Sequence, residues 1–229
     1  MVKAVLCDID GTLVESNWLH AEAWRRAFAE MGIQLDREEV RRQIGKGGDE
    51  LIPVFVVWWK RGAVEQPLKR FREWLFRQEF LPQVKPFPKV VDFALELKRR
   101  GIKFALASSS KKPELGDYER IMGVEHLVDA ASSADDVDRA KPHPDVFSTV
   151  MKQLGLQPED CIALGDTPYD AESAGKAGVR TIGVETGGWT HDELLAAGCV
   201  EVYANLGDLL QRIDDSSIVR EGLRNSSAR

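Results

Sequence analysis

Two rhythms of apolar and polar positions run along the chain. The opening run "VKAVLCDI" predicts a buried strand over Val2–Ile9, with Asp8 and Asp10 at its end. Trp18, Ala21, Trp24, Ala27 and Phe28 then recur at helical spacing and predict a helix from Asn17 to Gly32. Asp36 with Glu39 reads as a capping box opening a short second helix. "IGKGGDE" interrupts the pattern. "LIPVFVVWWKRG" predicts a packed helix broken near Pro53, a further helix runs from about Pro67 to Phe80, and "LPQVKPFP" is a Pro-rich connector.

From Pro88 the texture changes. "PKVVDFALELKRRG" is an amphipathic helix with Pro in its first turn and Gly past its end. The apolar runs "IKFALA", "CIALG", "TIGV" and "VEVYA" follow, separated by helices starting near Pro113, Pro144, Pro168, His191 and Leu206. Strands alternating with helices imply an α/β fold, a Rossmann-like, mostly parallel sheet covered on both faces. Residues 1–14 and 86–229 are expected to form this core domain, and 15–85 an inserted all-helical cap domain that can act as a lid. The polar stretch "DDSSIVREGLRNSSAR" is expected to be a frayed or loosely docked tail.

Composition narrows the classes. The 229 residues are 43% hydrophobic and 30% charged, with net charge −6, enough for one sizeable core and without a basic stripe for nucleic acid. No apolar run is long enough for a membrane span, and the N-terminus enters a strand directly rather than a secretory signal. Cys7, Cys161 and Cys199 are far apart and odd in number, which favours reduced, buried thiols and a cytoplasmic location.

Open α/β sheets bind ligands beyond the carboxyl ends of their strands. Asp8, Asp10, Gly11 and Thr12 follow the first strand; Ser108, Ser109 and Ser110 follow "IKFALA"; Asp166 and Asp170 follow "CIALG"; Lys141 precedes a Pro-started helix. On one rim, two like charges ~4 Å apart repel by roughly 4 kcal/mol at an effective dielectric near 20. Such a cluster requires a cation, and oxygen-only ligands suit Mg²⁺. Backbone N–H groups around Gly11 and Thr12, the serine hydroxyls and the lysine are partners for phosphate oxygens.

"DIDGTL", "LASSS", "KPHPD" and "GDTPYD" resemble, in order, the four motifs of the haloacid dehalogenase superfamily, and the insert is similar to the cap of its phosphoglycolate phosphatase and β-phosphoglucomutase branch. The resemblance covers about residues 2–212. It implies that Asp8 is the nucleophile, forming an aspartyl-phosphate, and that Asp10 is the acid and base. Ser108 would hydrogen-bond the transferring phosphoryl group, with Ser109 its rival, and Lys141 would hold phosphate and Asp8. The metal would take Asp8, the Asp10 carbonyl and Asp166, with Asp170 a secondary ligand or an orienter of Lys141. His20 and Trp24, four apart on one helix face, match a histidine and a tryptophan of the mutases. "IGKGGDE" would face the substrate, with Lys46 and Gly47 as contacts. The mutases carry an arginine where this chain has Gly48.

The expectation is therefore a Mg²⁺-dependent phosphatase acting on a small phosphorylated metabolite, with a phosphosugar mutase as the alternative. Asp10 argues against a dehalogenase, and the insert argues against a phospho-receiver. Trp58 and Trp59 read as cap core or interface. The chain is expected to be a monomer or, through "VFVVWW", a homodimer.

Overall fold

A computed structural model describes residues 2–220. Its main sheet has six parallel strands: β1 (Ala4–Cys7), β4 (Lys103–Ala107), β5 (Ala130–Ser132), β6 (Cys161–Gly165), β7 (Arg180–Val184) and β8 (Cys199–Tyr203). The order across the sheet is β5-β4-β1-β6-β7-β8. The fold is α/β and Rossmann-like. β1 lies centrally, with Ala4 opposite Lys103 in β4 and Cys161 in β6. Side chains alternate across the sheet. Val5, Cys7, Phe104, Leu106, Ile162 and Leu164 enter the larger apolar cluster. Ala4, Leu6, Ala105, Ala107 and Ala163 enter a second, where small residues let Phe147 and Val150 approach.

Helices α5 (Val90–Arg99), α6 (Lys112–Met122), α7 (Asp145–Leu154), α8 (Pro168–Lys176) and α9 (His191–Ala196) connect the strands, and α10 (Leu206–Gln211) follows β8. The polar C-terminal stretch is better packed at its start than its composition suggests. Ile213, Ser216 and Ile218 are buried, because two isoleucines find apolar partners. Residues 221–229 lie outside the described residues.

β1 is followed by a two-stranded antiparallel ribbon, β2 (Val14–Glu15) with β3 (Lys85–Pro86). Between its strands the regular elements are helical: α1 (Asn17–Glu30), α2 (Arg37–Arg41), α3 (Gly48–Phe55), α4 (Trp58–Leu75), a π-turn at Phe76–Phe80 and a 3₁₀ turn at Leu81–Gln83. This segment has its own core, including Trp24, Phe28, Ile52 and Leu68, while Phe76 and Phe80 plug into the main cluster. Asp36 caps α2 by accepting from Glu38 N and Glu39 N at 2.8 and 3.2 Å.

Two helix boundaries differ from the expected ones. The break falls at Val56–Val57 rather than at Pro53, and α4 runs unbroken through Pro67. Arg61 explains the first: its guanidinium donates to Pro53 O at 3.1 Å and Val56 O at 2.9 Å, satisfying carbonyls at the end of α3. Trp58 and Trp59 are 74% and 64% exposed and pack edge to face on each other, not in a core.

Candidate active site

The carboxyl ends of β1, β4 and β6 meet at one rim, because parallel pairing in register carries their following residues to the same edge. Asp8 N donates to Leu164 O at 2.8 Å, extending that pairing past β1. Asp8, Asp166 and Asp170 each offer a carboxylate oxygen within 4.8 Å of the others. All three are buried, as is Lys141. The Lys141 ammonium donates to Asp8 Oδ1 and to Ala107 O, the latter at 2.8 Å, and lies 2.9 Å from Asp170 Oδ1.

Burial pushes the Asp8 pKa up to about 7; Lys141 opposes that rise, while Asp170 and Asp10 add to it. Burial, then Asp170 and Asp8, also push Asp166 upward. Burial works against the charge on Lys141, but Asp170 and Asp8 outweigh it and hold the ammonium protonated.

The residues present fit a divalent cation. Asp166 is cradled by backbone: a Cβ on Gly187 would stand 1.7 Å, and one on Gly11 2.3 Å, from Asp166 Oδ2. One on Gly165 would stand 2.5 Å from Asp170 Cβ. Thr12 Oγ1 donates to Asp166 Oδ1 and Asn17 Nδ2 to Asp166 Oδ2, each at 2.8 Å, fixing the carboxylate while leaving lone pairs on both oxygens. The donors are oxygens with excess negative charge, the set that Mg²⁺ prefers.

Asp10 lies on the cavity side. It accepts from Ser16 Oγ at 2.5 Å, His20 Nε2 at 2.8 Å and Ser110 Oγ at 3.2 Å. Burial works to raise its pKa, but His20, Ser16 and Tyr118 outweigh it and hold the carboxyl well below its usual range. An arginine only donates, so the contact of Arg72 Nη2 with His20 Nδ1 assigns the ring proton to Nε2, facing Asp10. His20 stacks on Phe76 at 4.0 Å and 9°.

Above this floor lies a cavity of about 350 Å³ lined by both parts of the chain. Asp8, Asp10, Ser109 and Ser110 come from the sheet side; His20, Trp24, Lys46, Gly47, Gln66 and Arg70 come from the helical segment. Gly47 N donates to Lys141 O at 3.4 Å, and a Cβ on Gly47 would collide with Ala140. Lys46 Nζ donates to Gln43 Oε1 at 2.6 Å and lies over the Tyr169 ring.

The sequence-predicted residues thus divide. Asp8, Lys141, Asp166 and Asp170 converge, and Asp10, His20, Trp24, Lys46, Gly47 and Ser109 line the cavity. Ser108 is fully buried at the end of β4, its Oγ accepting from Ser110 N at 3.0 Å, and it is Ser109 and Ser110 that line the cavity. Gly11 and Thr12 require a correction: their amides are not offered to a ligand. Gly11 N donates to Val14 O and Thr12 N to Ile9 O, since the chain folds back sharply there, and both residues support Asp166 from behind. The cap of α8 is Thr167, which accepts from Asp170 N, so Asp166 is free of that duty.

Sequence reasoning placed Ser110 at the rim but missed Ser16, Asn17, Arg72, Tyr118 and Glu114, which accepts from Ser110 Oγ at 2.7 Å. Ser16 and Asn17 carried the one local signal, a polar pair at a helix start. The others arrive through tertiary contact.

Comparison with known proteins gives the family. A family model for haloacid dehalogenase-like hydrolases matches residues 5–184. The chain belongs to that family. It is 31% identical over 225 residues to protein CbbY of Cereibacter sphaeroides, covering 91% of this chain and 96% of that one. It is 29% identical over 215 residues to validoxylamine A 7'-phosphate phosphatase of Streptomyces hygroscopicus subsp. limoneus, covering 92% and 96%. The crystal structure of CbbY from Rhodobacter sphaeroides in complex with phosphate superposes with TM-score 0.71 at 27% identity, covering 91% of this chain and 96% of that one.

Proposed function

We propose that this hydrolase removes the phosphoryl group from a small phosphomonoester with the help of Mg²⁺, through an aspartyl-phosphate on Asp8. The observation that carries the reading is the buried Lys141, bridging Asp8 and Asp170 beside Asp166 at the floor of the cavity. Asp8, Asp166 and the Asp10 carbonyl would hold the ion, and Asp170 positions Lys141. When bound, Mg²⁺ neutralises charge between carboxylate and phosphate and stabilises it as it redistributes.

Asp8 attacks phosphorus, forming the new O–P bond as the bond to the leaving oxygen breaks. Asp10 gives that oxygen a proton, so Asp10 must be protonated when the substrate is seated. Its resting contacts with Ser16, His20 and Ser110 suit the carboxylate form, which takes the proton from the water that attacks the acyl-phosphate. Inorganic phosphate leaves and Asp8 is regenerated. Lys141, kept charged by its two aspartates, offsets the phosphoryl charge, and the hydroxyl of Ser109, on the cavity wall, is the donor for its oxygens.

The helices of residues 15–85 act as a cap over the core of 1–14 and 86–229, hinged at the β2–β3 ribbon, and set substrate choice. Among the cations of the cavity wall, Lys69 is paired with Glu65 and Asp49, and Lys111 with Glu73. Arg70 is exposed and has no hydrogen-bond or ion-pair partner among the described residues, so it suits a polar or anionic remainder of the substrate. The three buried thiols fit a reducing compartment, the cytoplasm. The test is phosphate release from a metabolite panel with Mg²⁺, together with Asp8→Asn. Rapid glucose phosphate isomerisation with negligible phosphate release would replace hydrolysis by mutase chemistry.

A further inference from the structure

The helical segment touches the acid cluster from a direction unrelated to the cavity. Arg41, the last residue of α2, is 4% exposed. Its Nη1 donates to Gly187 O at 2.8 Å, its Nε donates to Glu38 Oε2 at 2.7 Å, and its guanidinium lies over the Trp18 ring. Gly187 belongs to the 3₁₀ turn Glu185–Gly187 that follows β7. The Cα of Gly187 packs on the Asp166 carboxylate so tightly that any side chain there would overlap Oδ2. Asn17 joins the same two groups, donating to Asp166 Oδ2 at 2.8 Å and lying 3.5 Å from Gly187 O.

Arg41, Gly187 and Asp166 therefore form a continuous path from the cap to a carboxylate of the acid cluster. Gly188, at φ +83°, leaves room for the guanidinium: a Cβ there would stand 2.8 Å from Nη1. A second clasp lies alongside. Arg42 pairs with Glu193 at 2.7 Å and stacks on Trp189, and the Tyr169 hydroxyl donates to Arg42 O at 2.7 Å.

We propose that Arg41 is a positioning residue for the metal: by holding the carbonyl of Gly187 it presses the 185–188 turn against Asp166 and ties cation affinity to the closed posture of the cap. Gly187 has no side chain of its own, so apart from the Thr186 hydroxyl on Gly11 O the position of the turn depends on what grips its backbone. When the cap swings away, the Arg41 bond breaks, the turn is retained on the core side by the Thr186 hydroxyl, which donates to Gly11 O at 2.5 Å, and Asp166 gains freedom it must lose again on coordination. By linkage, a bound cation favours the clasped cap by the same factor. This inference rests on the proposed metal-dependent chemistry.

The experiment is titration of substrate-free protein with Mn²⁺, following free ion by EPR, repeated with Mg²⁺ by calorimetry. Arg41→Met keeps much of the apolar stem and is expected to weaken binding about tenfold, ~1.4 kcal/mol. Arg41→Lys, with one donor for Gly187 O, should recover part of that loss. Glu38→Gln, an exposed change that frees the guanidinium, should weaken binding by about twofold. Arg77→Met breaks an ion pair to Asp117 at the other edge of the cap and should leave affinity unchanged. In turnover, the Arg41→Met deficit should be recovered by raising Mg²⁺, leaving kcat near the parent value. Folded Arg41→Met with parental cation affinity, or an Arg77→Met loss of equal size, overturns the proposal. If Arg41→Met does not fold, parental affinity in Glu38→Gln and Arg41→Lys together overturns it. Parent protein that binds neither ion would instead overturn the metal-dependent function itself.

Discussion

The sheet and the helical segment solve opposite problems with the same kinds of residue. At the strand ends, charge is buried and paired inside the protein: Lys141 with Asp8 and Asp170, Asp166 with Thr12 and Asn17. Where the helical segment faces the cavity mouth, and unlike at Arg41, charge stands near the surface. Lys69 and Glu73 are partly exposed, Arg70 is exposed, and Trp58 and Trp59 project outward. Buried charge is worth most where it cannot relax, which suits the bond-breaking end. Half-solvated charge is weaker and adaptable, which suits recognition of the part of the substrate that does not react.

The comparison can be broken first at Lys141. Lys141→Met strands Asp8 and Asp170 together without a counter-charge, and thermal or denaturant unfolding should show a loss of about 3–5 kcal/mol along with turnover. Asp10→Asn, by contrast, removes a proton carrier and leaves the buried pair intact. Its kcat should fall ~10²–10⁴-fold at nearly unchanged stability.

A pH series sharpens the point. Asp8 titrates at about 7 in the fold, chiefly through burial, against an ordinary value of 3.8. Between those values the metal-free fold keeps a proton that the unfolded chain has lost, so the Asp8 contribution to metal-free stability falls as pH rises through this window. The same proton competes with Mg²⁺. Apparent Mg²⁺ affinity should therefore rise by up to ~tenfold per pH unit toward 7 and level off above it, measurable by calorimetry.

Changes in the helical segment should be gentler. Arg70→Ala is expected to raise KM about tenfold for an anionic substrate, with kcat little altered, as an exposed charge contact away from the reacting bond implies. A substrate with a neutral remainder should barely notice. Smallest of all, Trp58→Ser should move stability by no more than ~0.5 kcal/mol, since the ring is mostly in solvent. A large drop in any solution assembly on that change would assign the Trp58 and Trp59 face to a second copy.

The same contrast governs what was legible in the sequence. Strands buried on both faces write themselves as short apolar runs, and the groups at their ends follow within a few residues. Asp8, Asp10, Asp166 and Asp170 could therefore be placed on one rim in advance, and Lys141 was added to them from the start of the helix it precedes. The cap offered no such rule. Its helices run through Pro53 and Pro67, and α3 stops at Phe55, where Arg61 captures the carbonyls of Pro53 and Val56. Arg72 reaches His20 across 52 positions, and Arg41 reaches Gly187 across 146, separations at which local pattern carries no information. The amides of Gly11 and Thr12 were misjudged for a related reason: a fold-back within six residues had consumed them.

The β2–β3 ribbon has a consequence for how such an enzyme can change. Val14 faces Pro86 and Glu15 faces Lys85, so the chain leaves the sheet and returns to it at adjoining positions. A two-residue turn would close that gap as a hairpin. Everything from Ser16 to Val84 thus leaves and rejoins the sheet at one place. A different specificity module spliced at the same two points would inherit Asp8, Lys141, Asp166 and Asp170 without disturbing the register of a single strand, but would have to resupply the donors that Ser16, Asn17 and His20 give to Asp10 and Asp166.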